Sequence, residues 1–205
     1  MDAVNCPPRI VYCSGPLFCP EELKVMGSIA QVLESAGYQT FLPQRDGVEA
    51  FVMNQVDAPL ANAWILKPIQ TLAHKAVFAL DIYQLVERCD GFVFNMNGRV
   101  PDEGGVVETA VAFACGKPLV IYRNDGRSLA CGRSHPMLIS AAQVVVDDIH
   151  QIPEALAACA ARRSFVLTRT AALPPQIRRT VAFGRRVWKL LRLIRFLAPK
   201  NALLV

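Results

Sequence analysis

The sequence predicts an α/β protein in which a parallel β-sheet is covered by helices on both faces. Short apolar runs such as 9–13 and 119–122 are continuous rather than alternating, which is typical of strands buried on both faces. Segments with a helical spacing of apolar residues separate these runs, as crossovers between parallel strands require. With 205 residues, of which 53% are hydrophobic and 19% charged, the chain can form one such domain.

The composition excludes several classes of protein. The chain is too apolar to be disordered, and its 12 Gly and 14 Pro are not periodic as in collagen. No uncharged run approaches the roughly 18 apolar residues of a membrane-spanning helix, and residues 1–8 lack a secretory signal pattern. The seven Cys form no CxxC pair and the three His do not cluster with them. We therefore expect reduced thiols in a cytoplasmic protein, and no metal site.

The first strand and the first helix have clear boundaries in the sequence. The apolar run 9–13 predicts a strand, which ends at the turn-forming segment Ser14-Gly15-Pro16. Pro20 and the two acids after it are typical of a helix start. Apolar residues then recur at helical spacing until Gly37, where we expect this helix to end.

The remaining elements continue the alternation. Gly116 is a C-cap signal for the helix before it. The predicted order is strand 38–42, loop 43–58, helix 59–88 in one piece or in two around Pro68 and His74, strand 91–94, loop 95–104, helix 106–115, strand 119–122, strand 142–146 and helix 153–163. Ligands of parallel sheets bind at the carboxyl ends of the strands, so we expect chemistry in 14–18, 43–47, 95–104 and 123–136.

The segment 95–108 carries the strongest chemical signal. Two adjacent glycines, Gly104 and Gly105, allow a ligand to approach the backbone closely. Glu108 lies in the first turn of the predicted helix, and Asp102 precedes it by six residues. Two carboxylates that face one pocket can divide the work of breaking a glycosidic bond, one as nucleophile and one as acid. Taken alone, this segment favours a simpler interpretation, with Glu108 stabilising the helix start and Asp102 in a solvated turn.

Two further segments follow the first and second strands directly. They are Gly15-Pro16-Leu17-Phe18 and Phe41-Leu42-Pro43-Gln44-Arg45-Asp46-Gly47. Together with 95–108 they place glycines and polar groups at the ends of three neighbouring strands.

This combination resembles the nucleoside 2-deoxyribosyltransferase family over roughly residues 9–150. The matching positions are Tyr12, 15–18, 41–47, Gly98-Arg99, 101–104, Glu108 and Gly116-Lys117-Pro118. The resemblance implies a flavodoxin-like fold and an enzyme that needs no cofactor. Glu108 would attack C1′ of a 2′-deoxynucleoside, and a second nucleobase would then take the sugar from the glycosyl-enzyme.

The resemblance also implies roles for individual residues. Asp102 would serve the base and its proton, and Tyr12 would hold the nucleophilic carboxylate. Asp81 matches an acid that contacts the sugar or the nucleophile, although an alignment shifted by one residue puts Ile82 there and leaves Asp81 as an exposed helix acid. The other substrate-binding positions implied are Gly15, Pro16, Leu17, Phe18, Gln44, Arg45, Asp46, Asn97, Gly98, Gly104, Gly105 and His135.

Two departures from the family pattern concern the substrate. Asn97 replaces an aspartate, and an amide cannot act as a base. His135 lies where the family has an Asn-Pro-Met-like segment that reaches a neighbouring subunit, so a homo-oligomer is expected. His135 would contact the sugar, bind a 5′-phosphate if protonated, or be an ordinary loop residue. Pro16 lacks the amide donor that a phosphate cradle uses, which favours a nucleoside substrate over a nucleotide.

The sequence leaves open two alternatives to a 2-deoxyribosyltransferase activity. In the first, water replaces the acceptor base and the same site is an N-glycoside hydrolase of nucleosides or nucleotides. In the second, the fold is a catalytically degenerate binding module.

The C-terminal region differs from the body of the chain. Residues 155–205 hold 11 of the 22 Lys and Arg and none of the 17 Asp and Glu. We predict a catalytic domain at 1–163 and a basic amphipathic extension at 164–205, with a break at Leu173-Pro174-Pro175. The extension would pack on its own domain, dock on a neighbouring subunit or lie on an anionic membrane. No nucleic-acid motif accompanies its charge.

Overall fold

The computed structural model describes residues 10–49, 67–98, 100–126, 135–162 and 172–197. Five strands form one sheet, and all four neighbouring pairs are parallel. They are β1 (Ile10–Ser14), β2 (Gln39–Phe41), β3 (Gly91–Asn95), β4 (Leu119–Tyr122) and β5 (Val144–Val146). Their order is β2-β1-β3-β4-β5, which is the flavodoxin-like order. The predicted fold class is therefore confirmed.

In the described parts of the chain, helices lie between successive strands and after β5. The α-helices are α1 (Pro20–Ser35), α2 (Pro43–Asp46), α3 (Lys67–Tyr83), α4 (Glu103–Ala114), α5 (Pro136–Ala141), α6 (Ile152–Ala161) and α7 (Pro175–Leu197). A π-helical turn, Gln84–Arg88, follows α3, and a 3-10 turn, Ile149–Gln151, precedes α6.

Two predicted boundaries are wrong, those of the loop at 43–58 and of the helix at 106–115, and one open alternative is decided in favour of an unbroken helix. The loop predicted at 43–58 begins with α2, since Pro43 sits at the first helical position and the Asp46 carboxylate accepts the Leu42 amide. Helix α3 continues through His74 without a break. Helix α4 begins at Glu103 rather than 106, because Asp102 caps it, and this places Gly104 and Gly105 inside the helix. The predicted helix start at 59–66 and the domain boundary at 163 lie outside the described residues.

Alternate side chains of each strand enter opposite cores. Val11 and Cys13 of β1 pack with α1 and α6 on one face of the sheet. Tyr12 packs on the other face, with Phe92 and Phe94 of β3 and with the turn after α3. Both faces are buried, which explains the continuous apolar runs in the sequence.

Helix α7 packs on the outside of α3. Val181 and Leu191 are buried against Leu80 and Tyr83. Gly184 permits this close crossing, because a Cβ there would overlap the Ala79 carbonyl.

Of the three alternatives for the extension, packing on its own domain therefore accounts for the inner face of α7. Arg185 also makes a bidentate ion pair with Glu87, with Nη2–Oε1 and Nε–Oε2 distances of 2.5 and 3.1 Å. The outer face leaves Leu190, Leu193 and Phe196 exposed, and its contact with a subunit or a membrane stays a prediction. Within the described residues, no helix is both long enough and apolar enough to span a bilayer.

Candidate active site

Two hydroxyl groups from β1 hold the carboxylate of Glu108. Tyr12 Oη donates to Glu108 Oε1 at 2.6 Å, and Ser14 Oγ donates to Oε2 at 2.5 Å. Tyr12 and Ser14 lie two residues apart on one strand, so their side chains leave the same face of the sheet. Because alternate residues of a strand share a face, each oxygen of the Glu108 carboxylate receives one hydrogen bond from β1.

The start of α4 brings Glu108 to these donors. Gly105 lies against Phe94 of β3 and Ser14 of β1, and a Cβ at position 105 would overlap both side chains. Glu108 follows Gly105 by three residues and shares its helix face. The close approach allowed by Gly105 therefore sets the position of Glu108 at the carboxyl ends of β1 and β3. This is the point at which the strand order reverses, where ligands of such sheets bind.

Burial dominates the electrostatics of Glu108. It raises the pKa of this carboxyl to about 7, with further increases from the charges of Asp102 and Glu49. The hydrogen bonds from Ser14 and Tyr12 favour the ionised form and oppose this increase in pKa. Burial likewise raises the pKa of Tyr12 well above its usual value, so Tyr12 remains a proton donor to Glu108.

Glu108 opens into a pocket with a volume of about 420 Å³ between α3 and α4. Asp81 and Glu49 line the same pocket, and Asp81 is 8% exposed. The remaining walls are His74, Val77, Phe78, Ile82, Gly104 and Val107. In the part of the chain that the structure describes, no three His, Cys, Asp or Glu are grouped as metal ligands.

Asp102 caps α4 close to the pocket. Its Oδ2 accepts the Gly105 amide at 2.5 Å, so one carboxylate oxygen stabilises the helix start. Burial raises the pKa of Asp102, and the hydrogen bond from Gly105 opposes that increase. The sequence interpretation that limited Asp102 to a solvated turn is therefore incomplete, since this residue is the N-cap.

The nucleoside 2-deoxyribosyltransferase family model matches residues 11–156. The chain belongs to this family. The matched residues include Tyr12 and Ser14 of β1, as well as β3, α3 and α4. Family membership supports an enzyme that acts on the N-glycosidic bond of a nucleoside or a related compound.

Solved structures with a similar fold include a 2-deoxyribosyltransferase from Bacillus psychrosaccharolyticus, with 18% identity and a TM-score of 0.47 over 70% of this chain and 90% of that one. A conserved protein from Enterococcus faecalis V583 has 17% identity and a TM-score of 0.47, covering 72% and 96% of the two chains. The CMP N-glycosidase BcmB of Clostridium botulinum has 17% identity and a TM-score of 0.40, with the same coverage. No curated protein shows significant sequence similarity to the chain.

Some residues that the family resemblance implied lie together in a second pocket, with a volume of about 410 Å³. Pro16, Asn97 and Gly98 line it, and Glu108 does not. Asn97 Oδ1 accepts the amides of Asn124 and Asp125 at 2.9 and 3.0 Å, so its side chain ties two loops together.

Other implied positions have local structural partners. Arg45 pairs with Glu34 and Asp46, each at 2.9 Å. His135 is exposed and caps α5, where its Nδ1 accepts the Met137 amide. Leu17 packs against the core, whereas Phe18 is 79% exposed. Among the residues that the structure describes, the buried Oε1 atom of Gln44 has no hydrogen-bond partner. Arg99 lies outside the described residues.

Sequence reasoning assigned no role to two residues of this site: Ser14, which lies in the predicted segment 14–18, and Glu49, which lies outside the predicted segments. Ser14 follows the first strand and shares the face of Tyr12, so strand periodicity was a usable signal. Glu49 lies two residues beyond Gly47, in a segment without a regular pattern, and only the folded chain brings it beside Asp81.

Proposed function

We propose that this protein transfers the 2-deoxyribosyl group between nucleobases through a covalent intermediate on Glu108. The observation that carries the proposal is the Glu108 carboxylate, which accepts hydrogen bonds from Tyr12 and Ser14. This carboxylate lines a pocket at the point where the strand order of the sheet reverses. Its pKa of about 7 leaves a substantial ionised fraction at neutral pH.

In the first half-reaction, a Glu108 oxygen forms a bond to C1′ while the bond from C1′ to the base nitrogen breaks. The base leaves with the bonding electron pair and takes a proton from Asp102, whose raised pKa suits an acid. In the second half-reaction, a nitrogen of the acceptor base attacks C1′, the bond to Glu108 breaks and the acceptor's proton goes to Asp102. Tyr12 and Ser14 stabilise the departing carboxylate.

Water in place of the acceptor base would make the same site a hydrolase. The mechanism up to the glycosyl-enzyme is identical, so the two activities differ only in which nucleophile reaches C1′. A third possibility, a binding module without turnover, makes no use of the ionised Glu108.

The deciding experiment incubates the protein with thymidine or 2′-deoxyinosine, with and without adenine or cytosine, and separates bases from nucleosides. We expect a new deoxynucleoside only when the acceptor is present. Glu108→Ala should reduce the rate by at least about 10³-fold, as loss of a nucleophile does. The control is Glu154→Gln, which removes an exposed carboxylate on α6.

Each alternative has its own result in this experiment. Free base without a new nucleoside, again dependent on Glu108, would replace the transferase with a hydrolase. No turnover of any pair, with binding unaffected by Glu108→Ala, would favour the binding module.

A further inference from the structure

Trp188 of helix α7 reaches the aromatic core beneath the candidate active site. Helix α7 lies beyond the residues 11–156 that match the family model. Trp188 is partly buried and packs against two groups of buried residues. One is the core between α3 and α7, and the other is the cluster on the sheet that includes Tyr12 and Phe41. Trp188 therefore connects the C-terminal helix to the strand that carries the donors to the candidate nucleophile.

Tyr12 lies between two phenylalanines in the sheet. Phe41 of β2 is its cross-strand partner on one side, and Phe92 of β3 is its partner on the other. The ring centres of Phe41 and Phe92 lie 5.3 and 5.8 Å from that of Tyr12, which is within the range of aromatic pairs. The Tyr12 oxygen, at the far end of this ring, donates to Glu108. The two phenyl rings therefore restrict the tilt of the ring that carries the donor.

This row of aromatic rings ends at the edge of the sheet. In the described sheet β2 is the outermost strand, so Phe41 has no cross-strand neighbour beyond it. Trp188 contacts Phe41 from α7, with ring centres 6.1 Å apart and an edge-to-face angle of 69°. Phe41 is only 4% exposed and Tyr12 is fully buried. Loss of the indole ring would leave a space into which Phe41, and Tyr12 with it, can move.

Two further contacts fix α7 at this edge of the sheet. The Arg88 guanidinium lies 5.9 Å from the centre of a Trp188 ring, which is within cation–π range. Arg195 Nη2 donates to the Arg45 carbonyl at 2.8 Å, and Arg45 belongs to the short helix α2 that follows β2. Helix α7 is therefore attached to the segment after Phe41 as well as to α3.

The hydrogen bond from Tyr12 affects the protonation of Glu108. It favours the ionised carboxylate and lowers the pKa, as the bond from Ser14 does, against the increase caused by burial. Tyr12 also forms a hydrogen bond with Asp81. The other titratable groups around Glu108 are Glu49 after α2, Asp81 and His74 of α3, and Asp102 at the start of α4. A Tyr12 ring displaced from Glu108 should therefore raise the pKa of this carboxyl.

We propose that Trp188 is a positioning residue that acts through Phe41 and keeps the Tyr12 ring where its hydroxyl donates to Glu108. The C-terminal helix is then part of the support of the candidate nucleophile. The consequence for turnover rests on the proposed function, whereas the effect on the hydrogen bond between Tyr12 and Glu108 does not.

The test measures the pKa of Glu108 by carbon-13 NMR titration of protein labelled at the glutamate carboxyl carbons, with the signal assigned by its absence in Glu108→Gln. Trp188→Ala should raise this pKa by about 0.5 or more, a part of the roughly 1–2 expected when a hydrogen bond to a charged group is lost completely. Trp188→Phe keeps an aromatic ring and should stay within about 0.2 of the native value. The control Phe196→Ala removes an exposed ring of the same helix and should change nothing.

A double substitution tests the route through Tyr12. In a Tyr12→Phe background, Trp188→Ala should cause no further increase in the pKa of Glu108, because no hydroxyl remains to be displaced. The full increase in that background would mean that Trp188 acts by another route, and the proposal would be wrong. A folded Trp188→Ala protein with the native pKa would also overturn it and limit Trp188 to stabilising the fold. If Trp188→Ala does not fold, Trp188→Leu replaces it with the same expectations.

Turnover separates this proposal from the proposed function. With thymidine and adenine, the pH midpoint of kcat/KM should move upwards in Trp188→Ala by the same amount as the NMR titration. A raised pKa of Glu108 with an unmoved midpoint would contradict the nucleophilic role of Glu108 and still support the role of Trp188. If the native protein transfers no sugar, the proposed function fails, and the NMR titration alone decides whether Trp188 positions Tyr12.

Discussion

At the scale of single residues, the nucleophilic role proposed for Glu108 requires that its carboxyl group first lose its proton. Burial raises its pKa to about 7, so protonation removes the nucleophile as the pH falls through neutrality. Tyr12 and Ser14 act against that increase because both donate to the carboxylate. If Glu108 is the nucleophile as proposed, these two hydroxyls should set the pH range of the activity as well as the orientation of the carboxylate.

Removing either hydroxyl should move the activity profile to higher pH. In the native protein, kcat/KM should fall below about pH 7 and reach a plateau above it, following the ionised fraction of Glu108. Tyr12→Phe and Ser14→Ala each remove a donor that favours the ionised form, so the pKa of Glu108 increases and the midpoint moves upwards. We also expect a loss of about tenfold to a hundredfold at neutral pH.

Two substitutions elsewhere control for the loss of a hydroxyl group. Tyr38 donates to the Pro153 carbonyl and Ser28 to the Lys24 carbonyl, both away from Glu108. Tyr38→Phe and Ser28→Ala should leave the midpoint unchanged. A native midpoint that Tyr12→Phe and Ser14→Ala do not move would show that Glu108 is not the titrating group.

At the scale of elements, Asp102 has a structural role and a proposed chemical role. Its Oδ2 caps α4, which stabilises the helix that carries Glu108. The same carboxyl is proposed to exchange a proton with the base. An amide can perform the first role but not the second, since it accepts a hydrogen bond and has no acidic proton.

Asp102→Asn should therefore separate stability from activity. Because Asn caps helices about as well as Asp, we expect a change in the free energy of unfolding of no more than about 0.5 kcal/mol. The rate of base release should fall about 10²-fold or more, in the range for a general acid. Asp102→Ala should lose the cap as well, at a cost of about 1 kcal/mol in chemical denaturation. Full activity in Asp102→Asn would limit Asp102 to capping.

The elements differ in how well the sequence predicts them. The apolar runs of β1, β3 and β4 are unambiguous, because strands buried on both faces tolerate few polar residues. The start of α4 is less clear, since the Asp102 cap lies in a segment rich in glycine and proline, which is typical of loops. The pairing of Asp81 with Glu49 joins residues far apart in the sequence, so local patterns contain no signal for it.

At the scale of the whole molecule, α7 supports the helix that forms one wall of the pocket. Leu191 and Val181 bury the side of α3 that includes Leu80 and Tyr83, while Asp81 between them lines the pocket. The basic composition of the extension gave no indication of which face would pack on the domain. The exposed basic residues and leucines of its outer face are consistent with either a subunit or a membrane contact, and both stay predictions.

Two adjacent leucines test how much α7 stabilises the fold. Leu191 is 5% exposed, and Leu190 is 58% exposed on the outer face. Leu191→Ala should lower the free energy of unfolding by about 2–5 kcal/mol, as cavity-forming substitutions do. Leu190→Ala should change it by no more than about 0.5 kcal/mol. Urea denaturation followed by circular dichroism measures both values on the full chain. Equal, small effects would mean that α7 packs on α3 too loosely to stabilise it, whereas a large effect of Leu190→Ala alone would mean that the outer face is covered in solution.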